Sequence, residues 1–144
     1  MNYITAIDPD LRKSGVCTLD ENGEIIILKS MTMPELISHI NNNLESTYVV
    51  EDVNRIKAMY SRGKYTSNTT IAQSVGKVKA AATILIELIT HYTGKPPKLA
   101  PVGLGKQVKK NAVLFKEITG YKGKTNEDCR DAYMIARWAY KELK

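Results

Sequence analysis

The chain has 144 residues, 43% of them hydrophobic and 25% charged. At roughly 100–200 residues per domain this predicts one domain with a core that needs neither disulfide nor metal, and it excludes a disordered chain, a collagen-like repeat and a disulfide-stapled scaffold. Twenty-one basic against fifteen acidic residues leave a formal net charge of +6, an argument for a polyanionic partner and not for any fold.

Residues 3–7 are β-prone and stop at Asp8-Pro9-Asp10, a turn signal. A second strand resumes over 15–19. Asp20-Glu21-Asn22-Gly23 follows with an Asn-Gly pair, the strongest short hairpin signal, and residues 24–29 return as a third strand. A helix is predicted over 33–44, where Pro34 suits the first turn and Leu36, Ile37, Ile40 and Leu44 recur at helical spacing. Residues 47–53 form a fourth strand, rich in β-branched residues and interrupted by Glu51 and Asp52. The polar, basic stretch 54–67 reads as a loop. A long helix over 68–92 follows, with Ile71, Val75, Val78, Ala82, Leu85 and Ile89 on one side, stopped by Gly94 and Pro96-Pro97. A short fifth strand over 98–102, a basic helix over 106–119 ended by Gly120, and a last helix over 126–142 complete the chain. That last helix should bury Ala132, Ile135, Ala136 and Ala139. Three hairpin-like strands followed by alternating helix and strand make a mixed sheet with helices packed on it, an α/β fold.

Cys17 and Cys129 fit no zinc spacing and suit a reducing compartment. No run of about 18 apolar residues predicts a membrane span. Asp8 and Asp10 interrupt the one apolar run near the N-terminus, so no signal peptide is expected and a cytoplasmic location is.

Four acids stand out by placement. Asp8 ends the first strand, Glu51 lies in the fourth, and Asp128 and Asp131 sit three apart on one face of the last helix. Acids inside apolar strands need an explanation, because an unpaired carboxylate removed from water costs several kcal/mol. A shared divalent cation is one, since hard oxygen ligands suit magnesium or manganese. Each acid also has a plainer reading: an Asx turn for Asp8, solvent or a lysine for Glu51, and favourable opposition to the helix dipole for Asp128. The basic residues cluster as well. Thirteen of them lie between Lys57 and Lys124 against only Glu87 and Glu117, which suits a nucleic-acid face or a solvated surface.

Ala6-Ile7-Asp8-Pro9-Asp10-Leu11-Arg12-Lys13-Ser14-Gly15 resembles the first motif of the RuvC Holliday-junction resolvases, a branch of the ribonuclease H-like, or retroviral-integrase-like, nucleases. Val49-Val50-Glu51-Asp52-Val53 resembles the strand that carries their catalytic Glu. Residues 66–82 are similar to their long helix, and Asn126-Glu127-Asp128-Cys129-Arg130-Asp131-Ala132 to their closing segment. The matches fall in the family's order across nearly the whole chain.

The resemblance implies a ribonuclease H-like mixed five-stranded sheet with helices on both faces. It implies a structure-selective endonuclease that resolves four-way DNA junctions by paired nicks leaving 5′-phosphate and 3′-hydroxyl ends. Asp8, Glu51, Asp128 and Asp131 would be the catalytic acids and would hold two Mg2+ per site, with Mn2+ as a substitute. The family's catalytic lysine falls in Lys106-Gln107-Val108-Lys109-Lys110 and is assigned to Lys106. Arg55, Lys57, Tyr60, Arg62, Lys64, Tyr65, Lys109 and Lys110 form the expected DNA-binding set. A homodimer in a bacterial or phage-infected cytoplasm is implied, in a phage or mobile-element version. Its interface is expected on the long helix at the small residues Ser74, Gly76, Ala80, Ala81 and Ala82.

Two departures matter. Asp10 stands where the family has Gly, so a positive φ there would be costly. Asn54 stands where the family has an aromatic, leaving Tyr60 and Tyr65 farther along to stack on a base. Flaps, forks or RNA–DNA hybrids as substrate, and a non-catalytic junction-binding protein, stay open as alternatives. An actin-like nucleotide module is disfavoured, because the chain is short for two lobes and lacks a second glycine-rich phosphate loop.

Overall fold

The computed structural model describes residues 2–55 and 68–143, the side chains of Arg55 and of residues 68–72 excepted. Strands β1 (Ile4–Asp8), β2 (Lys13–Leu19) and β3 (Ile25–Thr32) form an antiparallel meander. Strands β4 (Thr47–Glu51) and β5 (Lys98–Ala100) then add parallel to β1, giving the order β3-β2-β1-β4-β5. The β2–β3 turn uses Gly23 at φ 80°, with the Gly23 N–H donating to the Asp20 carbonyl at 3.0 Å. The Asp20 carboxylate accepts from the N–H groups of Asn22 and Glu24. Glycine thus takes the single left-handed position and Asn22 keeps a negative φ.

Strand alternation divides the core in two. Ile4, Ala6, Cys17, Leu19 and Val49 face α4 (Glu127–Glu142) and α3 (Ala112–Thr119). Ile7, Val16, Tyr48 and Val50 face α1 (Met33–Asn42) and α2 (Asn68–Thr93). The expected α/β architecture, a mixed five-stranded sheet with helices on both faces, is the one observed. Each fully buried Leu or Ile contributes about 1.5–3 kcal/mol, and both layers contain several.

Sequence features explain the helix starts. Thr32 caps α1, its hydroxyl accepting from the Glu35 N–H while the Glu35 carboxylate accepts from the Thr32 N–H, a reciprocal capping box. Asn126 caps α4 by accepting from the Cys129 N–H at 2.8 Å, and its amide donates to Ser30 of β3. Ala132, Ile135, Ala136 and Ala139 are buried as expected, together with Cys129.

Three expectations are corrected. The basic helix over 106–119 is present only as α3; residues 102–110 are consecutive turns, because Asn111 caps a new helix start by accepting from the Leu114 N–H. The third strand runs three residues longer than expected, through Thr32, since β2 keeps pairing with it as far as Lys13. Ala81 and Ala82 are fully buried, so Ser74, Gly76 and Ala80 remain exposed of the small residues expected at an interface. Among the described residues no helix is long and apolar enough to cross a membrane.

Candidate active site

Parallel strands β1, β4 and β5 end at the same edge of the sheet, the edge where ligands of such sheets commonly bind. The side-chain alternation that turns Ile4 and Ala6 toward α4 turns Asp8 the same way, and Val49 does the same for Glu51. The β1–β4 register pairs Ile7 with Val50, so Asp8 and Glu51 follow as neighbours. Their carboxyls share a hydrogen bond.

The first turn of α4 closes over this pair. Gly15, paired with Asp8 across β1 and β2, lies directly under the Asp128 backbone, where a Cβ would overlap the Asp128 carbonyl. Gly105 does the same for Asp131: a Cβ there would overlap the Asp131 carboxylate. Both glycines therefore serve close approach. All four acids line one cleft of about 380 Å³ together with Asp10, Gly103, Lys106 and Lys109. Acids from three distant parts of the chain converge.

The electrostatics record that crowding. Burial, then the negative charges of Glu51 and Asp131, hold Asp8 far above the usual carboxylate range. Burial also raises Glu51, against the hydrogen bonds it accepts from Asp8 and the Gly103 N–H. Asp128 is raised by burial and by Asp10, and Lys109 opposes that rise. Lys109 Nζ pairs with Asp131 Oδ2 at 3.0 Å. Burial alone would lower its pKa, but the hydrogen bond and charge of Asp131, with Asp8 and Asp128 beyond, keep it above the ordinary lysine value.

Other residues singled out by the sequence fall around this cleft or outside the described part. Lys106 is exposed at the cleft wall and Lys110 is exposed beyond it. Arg55 closes the short 3₁₀ turn Val53–Arg55 after β4. Lys57, Tyr60, Arg62, Lys64 and Tyr65 lie outside the described residues. Asp10 adopts no positive φ, so it carries none of the expected strain; its carboxylate accepts from the Arg12 N–H at 3.0 Å, an Asx turn.

Sequence reasoning gave no role to Gly103, Gly105 or Arg130. Two glycines two apart just after a short strand were the available signal for close backbone approach. Arg130, 6% exposed, reaches from α4 to the Lys109 carbonyl.

Among the described residues no three His, Cys, Asp or Glu side chains are grouped as a ready-made metal cage. The donor set is nonetheless one of carboxylate oxygens around an open cleft. That suits magnesium, which keeps waters and takes one or two carboxylates plus substrate phosphate. It does not suit zinc, which wants His or Cys.

Fold and cleft together define the class: the chain has the RuvC-like form of the ribonuclease H-like fold. It is similar to Thermus thermophilus RuvC in complex with a Holliday junction substrate, at 16% identity and a TM-score of 0.57 over 99% of this chain and 96% of that one. A second Thermus thermophilus RuvC structure is similar at 16% identity and a TM-score of 0.54, over 98% of this chain and 95% of that one. No protein-family model and no curated protein matches the chain.

Proposed function

We propose that the protein is a divalent-metal-dependent endonuclease that resolves four-way DNA junctions as a homodimer. The observation that carries this reading is the convergence of Asp8, Glu51, Asp128 and Asp131 on one cleft of a basic chain. A structure of the same fold, Thermus thermophilus RuvC, holds a Holliday junction substrate.

In this reading Asp8 and Glu51, held rigidly by paired strands, and Asp128 and Asp131, held by α4, bind the cation. Magnesium or manganese bound there supplies activation of the attacking water and stabilisation of the departing 3′-oxygen. Lys106 and Lys109 line the same cleft, so their charge would offset that on the phosphoryl oxygens. The product carries a 5′-phosphate and a 3′-hydroxyl, ready for ligation. Arg55, Lys57, Arg62, Lys64 and Lys110, with Tyr60 and Tyr65 as stacking groups, supply affinity for branched DNA.

A synthetic four-way junction incubated with the protein, with and without Mg2+ or Mn2+, tests the reading. Symmetric nicks that need the cation support it. A protein that leaves the junction intact with either cation overturns it, and preferred cutting of matched flaps or hybrids transfers the chemistry to those substrates.

A further inference from the structure

Lys109 is bound at both ends by successive residues of one helix. Its ammonium pairs with Asp131 at 3.0 Å. Its carbonyl accepts a forked pair of hydrogen bonds from Arg130, Nε at 2.8 Å and Nη2 at 2.6 Å. The remaining Arg130 nitrogen, Nη1, donates to Thr125 Oγ1 at 2.9 Å, just ahead of the same helix. Arg130 is 6% exposed, so its guanidinium is spent on these contacts and not on DNA. The Lys109 N–H donates to the Gly105 carbonyl at 2.8 Å, and Gly105 lies against the Asp131 carboxylate.

We propose that Lys109 is a tethered counter-cation of the acidic cleft, competing with a divalent ion for Asp131, and that Arg130 is the positioning residue that holds it there. The inference rests on the proposed metal-dependent reading of the cleft and adds a control to it. A long, rotamer-rich lysine side chain would spread over many positions if its backbone were loose. Two guanidinium bonds converging on one carbonyl oxygen fix the backbone from which that side chain extends, and lysine at position 130 could not reproduce the fork. The pair is partly open to water, Lys109 being 41% and Asp131 14% exposed at the side chain, so a divalent ion can displace the ammonium. The displaced ammonium then remains on a fixed backbone beside the incoming phosphate.

Mn2+ binding to the DNA-free protein tests this, read by electron paramagnetic resonance or calorimetry. Lys109→Gln should bind Mn2+ about two- to five-fold more tightly than wild type, the scale of losing a partly exposed ion pair. Arg130→Lys should show part of the same gain. Arg130 acts through Lys109, so the double variant should bind no more tightly than Lys109→Gln alone. A Lys109→Gln protein with wild-type or weaker Mn2+ affinity, folded as judged by its circular dichroism, overturns the proposal, as does full additivity of the two substitutions. Neither readout involves cutting. Mn2+ binding with the predicted gain but no junction cleavage would remove the nuclease reading and leave this one standing.

Discussion

Asp8 illustrates how much a single residue's surroundings decide. Buried beside Glu51, it has its pKa raised from 3.8 to about 9, so the folded metal-free protein retains a proton that the unfolded chain releases. A folded-state pKa above the unfolded value makes this group's contribution most favourable at low pH, and that contribution is lost as pH rises from about 4 toward about 9. The metal-free protein should therefore show a falling Tm between about pH 5 and about pH 8, with a smaller fall in Asp8→Asn. Added Mg2+ should restore Tm more at the higher pH, where the carboxylates need a partner. An Asp8→Asn melting profile superimposable on wild type would show that the buried pair is not the source. On the proposed reading the same substitution keeps shape and removes one charge beside the phosphate to be cut. Cleavage should drop by at least about a hundredfold, the scale of losing one group that stabilises the transition state. Gel-shift affinity for the junction should hold or improve.

At the scale of elements, α4 is placed by small contacts with large consequences. Gly15 lets its first turn lie on β2, and Asn126 both caps it and ties it to Ser30. Gly15→Ala places a methyl group where the Asp128 carbonyl is, so helix or strand must move, at about 1–3 kcal/mol for overpacking. Denaturant unfolding should show that loss, and cleavage should fall further than stability alone accounts for, because Asp128 moves away from Asp8. Asn126→Ala removes the cap together with the hydrogen bond to Ser30 but brings no overlap, and should cost about 1–2 kcal/mol. Equal activity losses in the two variants at matched folded fraction would show that the helix start needs a cap and not a close approach. The segment between β5 and α3 follows the same logic. Its turns place Gly103 against Glu51, Gly105 against Asp131 and Lys109 at the cleft.

For the whole molecule, Lys106 and Lys109 of the basic stretch between Lys57 and Lys124 line the acidic cleft, whereas Lys95 and Lys98 lie beside the start of β4. Junction binding should weaken steeply as salt rises, since each neutralised phosphate releases counterions. Fluorescence anisotropy across a salt series reads that slope, and a flat dependence would move affinity away from the lysines. Resolution of a junction needs two nicks before the DNA dissociates, and a twofold dimer supplies two sites with the junction's own symmetry. A supercoiled cruciform plasmid should then yield linear product directly. Relaxed circles that accumulate first would show independent nicking and remove the dimer from the proposal.

Local chemistry made much of this protein legible in its sequence. The turn after Asp8, the Gly23 hairpin, the start of α4 near Asn126 and the buried stripe of α4 are set by residues close together in the chain. The sequence likewise placed Asp8 at the end of one strand and Glu51 within another, leaving open whether they face solvent, and the Asp128–Asp131 spacing put both on one helix face. Only the tertiary structure decided which lysine reaches the acids. Lys106, Lys109 and Lys110 are chemically alike in sequence, and the choice falls to Lys109 because Arg130 grips its carbonyl and Gly105 leaves room beside Asp131. The burial of Ala81 and Ala82 was decided there too, since small residues suit a tight core and an outer contact equally well until the rest of the chain packs around them. Spacing along the chain specifies which residues share a face; what that face meets depends on contacts between segments tens of residues apart.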